Sequence, residues 1–262
     1  MRATLIQMNP AARLLTIYDT LTQQPADQQP MSHLWAKVFG LDINSPHLED
    51  DVTACAIALR QQIDFTRTRL SVHGVPAELT HPGFDRLKNT ASPSNFHAVW
   101  NSHRDAIQRP ECRHAFTWAS WVLRDETEED MPPDDLVALR TEIESLEKSL
   151  SETEVSPYLR DFIQRQVDTI RAALRVYGVR GVRPLQEALQ RAVGAYAVER
   201  AHVEAEYAAA PEGAKGLFAK TGETLKKTAE VCDSLDKIKR FGENAVSLAA
   251  SVAPLVLPYI LK

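Results

Sequence analysis

The chain has 262 residues, about a quarter of them charged, and a net charge of −5 at neutral pH. That length allows one large or two modest cores, and that charge gives no general attraction to nucleic acid or to anionic lipid. Cys55, Cys112 and Cys232 lie far apart in the sequence, a spacing that suits reduced thiols better than a disulfide framework. The opening MRATLIQMNP has an apolar run too short for a secretion signal, so the body is expected in the cytoplasm.

Helical periodicity dominates and strand alternation is nearly absent, which predicts an all-α fold. Asn9-Pro10 reads as an N-cap followed by proline at the first helical position, opening a helix to about Gln23 with Leu14, Ile17, Tyr18 and Leu21 on one face. A short helix from Ser32 stops at Gly40. The next helix is long, with Val52, Ala56, Leu59, Ile63, Thr66 and Leu70 in steps of four and three, and HGVP ends it. Residues 74–93 read as loop with one helical turn. The aromatic stretch FHAVWNSHRDAIQRPECRHAFTWASWVL predicts two helices broken at Pro110, and it holds Trp100, Trp118 and Trp121.

The acidic run RDETEEDMPPDD then marks a boundary, so residues 1–130 are taken as an N-terminal helical region. Residues 131–210 predict an antiparallel helical bundle. Leu136, Leu139, Ile143, Leu146 and Leu150 mark its first helix, and Ile163, Val167, Ile170, Leu174 and Tyr177 its second. YGVRGVRP turns into a third, from about Pro184 to Tyr207. AAAPEGAKG, Ala208 to Gly216, reads as a hinge, so residues 211–262 form a separate part. In it an amphipathic helix carrying Lys226, Lys227, Lys237 and Lys239 leads into an apolar tail. From Pro211 onward eight Lys and Arg face six Asp and Glu, a charge of +2 against −7 for the preceding body.

The familiar motifs of phosphate loops, zinc pairs and nucleophile elbows are missing, so neither a cofactor nor a metal is expected. His97, His103, Cys112 and His114 form the best histidine–cysteine cluster, but His97 and His103 do not share a helical face. Arg67 to His73 and Arg109 to His114 have an arginine–histidine spacing that resembles the motif of helical HEPN ribonucleases, although Pro110 departs from it. The tryptophans suit a core, or a surface on which a base stacks. Arg171, Arg175, Arg180 and Arg183 bracket a helix–loop–helix with no acidic residue from Arg171 to Gln186. Such guanidiniums suit a phosphate-bearing anion, a nucleotide or a short oligonucleotide; the alternative is pairing with the body's surplus carboxylates.

No charge occurs from Asn244 to Leu261. As a helix, Ala245 to Leu261 would span about 26 Å against a hydrocarbon core of about 30 Å. Val246, Leu248, Val252, Leu255, Val256, Leu257, Ile260 and Leu261 favour insertion, whereas Pro254 and Pro258 free backbone groups that lipid leaves unsatisfied. Neighbouring copies would satisfy them, so a homo-oligomer in contact with membrane lipid is expected. A helical body containing LRDFIQRQVDTIRAALRVYGVRGVRPLQEAL, then a small-residue hinge, a Lys-rich helix and an apolar tail, resembles in layout the membrane-acting effectors of bacterial anti-phage defence. The membrane partner of Hailong-type systems is one candidate. The resemblance implies a cytoplasmic sensing body with an inner-membrane effector segment, a pore or channel former rather than an enzyme. A soluble adaptor whose tail docks on a partner, and a helical nuclease using Arg109 and His114, stay open.

Overall fold

The computed structural model describes residues 7–25 and 28–232, and these are mostly helical. The apolar segment from Val246 to Leu261, with Lys237 and Lys239, lies outside the described residues. The described residues divide into two compact units, one from within residues 1–130 together with 175–181, the other from residues 131–174 and 182–232.

In the first unit a two-residue ladder pairs β1 (Gln7–Met8) with β2 (Glu128–Glu129). Helix α1 (Pro10–Thr22) begins where the sequence marks it: the Asn9 side chain accepts from the Ala12 amide at 2.8 Å. Helix α2 (Met31–Phe39) closes on Gly40 at φ +67°, a conformation that favours glycine. Helix α3 (Leu48–Val72) has Glu49, Asp50 and Asp51 in its first turn and Arg69 in its last, opposite charges at the ends the helix dipole favours.

The stretch expected to be loop is instead largely helical. It holds a 3-10 turn (Ala77–Leu79), a π-turn (His81–Asp85), α4 (Arg86–Thr90) and another 3-10 turn (Pro93–Asn95). Phe84 and Leu87, both fully buried, hold these turns to the core and override their turn-like composition. Gly83 permits the approach, because a Cβ there would sit 2.8 Å from the Ala115 Cβ and from the Cys112 carbonyl. Helices α5 (Asn101–Ile107) and α6 (Pro110–Val122) break at Pro110. Trp35, Trp100, Phe84 and Phe116 are fully buried, whereas Trp121 is 66% exposed.

The second unit begins with α7 (Pro133–Glu152) and α8 (Pro157–Arg175). Arg160 closes the turn between them by donating to the carbonyls of Leu150 and Thr153 at 2.6 and 2.8 Å. From Arg175 to Gly181 the chain belongs to the first unit again, as the short α9 (Tyr177–Arg180), whose Val179 joins that core. It resumes the bundle with α10 (Arg183–Ala209) and α11 (Glu212–Val231).

The hinge is replaced by a two-residue link, Ala210-Pro211, with Gly213 and Gly216 inside α11. Packing overrides the helix-breaking composition: Ala214, Leu217 and Phe218 are buried, and the Phe218 ring lies 5.4 Å from Tyr207 and 6.2 Å from Phe162. Thr221, Thr224 and Thr228 are buried too, each hydroxyl donating to the carbonyl four residues back. Residues 212–231 therefore belong to the bundle and do not form a separate part.

Candidate functional site

The four arginines read as an anion site fall in different units, Arg175 and Arg180 in the first, Arg171 and Arg183 in the second. Arg171 pairs with Glu147 and with Asp168, Arg175 with Asp51 at 2.9 Å, and Arg183 approaches Glu187 at 3.9 Å. Any phosphate-bearing ligand at Arg175 has to compete with Asp51. That turn is fastened further by the Cys55 thiol, which donates to the Arg175 carbonyl at 3.4 Å and is pushed up to about 12 by burial.

Of the two arginine–histidine pairs, Arg109 and His114 are both exposed and Cys112 between them is buried. The other lies at the C-terminal turn of α3. Arg67 bonds Asp85 at 2.6 Å and stacks over the Phe84 ring, while His73 turns instead to Glu126. Arg69, one helical turn before His73, grips the same carboxylate with two nitrogens at 2.7 and 2.8 Å, and His73 Nε2 lies 2.7 Å from it. Principally the Arg69 hydrogen bonds, and then the His73 contact, hold the Glu126 carboxyl below the usual carboxylate range. This carboxylate–imidazole couple has the form that orients a base, and the His73 side chain is 38% exposed. Arg69, however, presents its Nε edge to Glu126, a carboxylate of the protein's own.

A cleft of about 450 Å³ lies between α1 and α6, lined by Tyr18, Asp19, Gln108 and Arg113 among others. Its polar groups answer one another: Arg113 pairs with Asp19 at 2.9 and 3.0 Å, and the Tyr18 hydroxyl donates to the Ile107 carbonyl at 2.8 Å. Burial pushes the Tyr18 phenol up to about 12. The cleft offers a small polar molecule hydrogen bonds, and its groups set up no nucleophile.

No family model, curated protein or solved structure matches the chain. Among the described residues no three His, Cys, Asp or Glu side chains are grouped to hold a metal ion. Nor is any described helix long and apolar enough to cross a membrane. Sequence reasoning missed Arg69 and Glu126. The available signal was the run RDETEED, five carboxylates in seven residues, a density that calls for cations elsewhere in the fold.

Proposed function

We propose that the chain is a membrane-active effector, a helical body that controls an apolar C-terminal segment, working as a homo-oligomer in a bacterial defence system. The observation that carries this reading is the uncharged run from Asn244 to Leu261 in a chain otherwise a quarter charged. Because α11 packs in the bundle, the body extends to Val231 and the acting segment lies beyond that residue. Pro254 and Pro258 leave backbone groups that other copies satisfy, which is why assembly belongs to the proposal. The controlling ligand is an anion, a nucleotide or short oligonucleotide, that competes with Asp51 for Arg175. The test is fractionation of the full chain and of Leu255→Arg. The wild type is expected in the membrane fraction and the variant in the soluble one, with equal helicity; a wild type that stays soluble even when its defence system is triggered sinks the proposal.

A second reading, a soluble adaptor whose tail docks on a partner protein, is favoured by one observation. The lysines of α11 point to protein groups, Lys227 to Glu142 at 2.6 Å and Lys220 to the Ser149 hydroxyl at 2.8 Å. The same fractionation separates the two. The helical-nuclease reading has its nearest support in His73 and Glu126, and activity on RNA lost in His73→Ala or His114→Ala would establish it.

A further inference from the structure

From Leu123, fully buried, to Met131, 6% exposed, the intervening residues Arg124 to Asp130 contribute no apolar side chain. Three carboxylates of this stretch turn toward cations of the first unit, Glu126 from the turn that follows α6, and Glu128 and Asp130 from in and just after β2. Glu126 meets Arg69 and His73, each at 2.7 Å. Asp130 meets Arg13 Nη2 at 2.7 Å, and Glu128 reaches the same nitrogen at 3.4 Å. The backbone adds the ladder of Gln7 with Glu129 and Met8 with Glu128, and at the end of α6 the Glu126 amide donates to the Leu123 carbonyl at 2.9 Å and the Arg124 amide to the Trp121 carbonyl at 3.3 Å.

A segment's cost of opening is set by the contacts it alone makes. Here those include ion pairs among partly exposed groups, each contributing about 0–1 kcal/mol and weakened by salt, beside a two-residue ladder and two turn hydrogen bonds. Arg13 is the exception, with a side chain 6% exposed, yet the strap forms part of its cover. Opening therefore hydrates that guanidinium and does not leave it buried without a partner.

We infer that residues 124–130 form an electrostatic latch that opens as a unit within the folded protein and uncovers Arg13, Arg69 and His73.

A glutamate-specific endoprotease tests this on the full chain, because cleavage after Glu126, Glu128 or Glu129 requires the strap to come away. Rates are referred to a peptide of the same sequence, which removes salt effects on the protease. Raising sodium chloride from about 20 mM to about 500 mM is expected to speed strap cleavage ~tenfold while the helices stay intact. Arg13→Met and Arg69→Met should each cleave fast already at low salt, with a flatter salt response. Strap cleavage that ignores salt in the wild type, or that begins only at the urea concentration where helicity is lost, overturns the latch. The wild-type comparison decides the matter even where a variant does not fold.

Discussion

Gly181 shows how much one residue can carry. Its φ of +65° and ψ of −150° place it in a region essentially reserved for glycine. A Cβ there would also lie 2.6 Å from Arg13 Nη2 and 3.0 Å from Glu128 Oε2. Gly181→Ala is expected to lose at least about 2 kcal/mol of stability in urea denaturation. Gly40→Ala, at φ +67° in open space, should lose only about 1 kcal/mol. Asn9→Ala removes both the cap on Ala12 and a donor to the Ser120 carbonyl at 2.9 Å, a loss of about 1–2 kcal/mol by the same measurement. The carboxyls of Glu126 and Glu199 add a pH dependence. Each is held below its ordinary value, Glu126 chiefly by Arg69, and Glu199 chiefly by Arg165 and then by Tyr158. Their contribution is complete above the unfolded value of about 4.3 and fades as pH falls through the lower folded value. Melting temperature should therefore fall below about pH 4, and less steeply in Glu126→Gln than in the wild type.

Helix α11 is where composition and packing disagree most. Two glycines and a proline near its start read as a hinge, but Phe218, 7% exposed between Phe162 and Tyr207, anchors the segment in the bundle. Phe218→Ala should destabilise the second unit by about 3 kcal/mol or more, a core-sized effect. Lys227→Ala, which removes an exposed pair with Glu142, should change stability by less than about 1 kcal/mol. Equal, small effects of the two in thermal unfolding would mean that α11 does not pack as described. The helices whose apolar residues recur in steps of three and four, α1, α3, α7 and α8, were legible because local pattern and burial agree there. The π-turn at His81–Asp85 and the short α9 were not, since each is held by distant residues: Gly83 against Cys112 and Ala115, and Val179 in the first unit's core. The paired partners of Arg69 and Arg175 were hidden for the same reason, because Glu126 and Asp51 lie far off in sequence.

At the scale of the whole molecule, the first unit is built from two separate stretches of chain, 1–130 and 175–181. The second stretch supplies Val179, 2% exposed, and with Gly181 the closure over Arg13. This arrangement constrains the order of events during synthesis. When Asp130 leaves the ribosome the first unit still lacks α9, and the whole α7–α8 hairpin must be made before that piece arrives. At ~5–20 residues per second the wait is on the order of 3–10 s, long compared with the formation of a helix. Through that interval part of the first unit's core has no cover, while α7 and α8 can already begin to pair. Translation speed across residues 131–181 therefore bears on the yield of folded protein, and a chain ending at Asp130 should be recovered poorly where the 262-residue chain is recovered well.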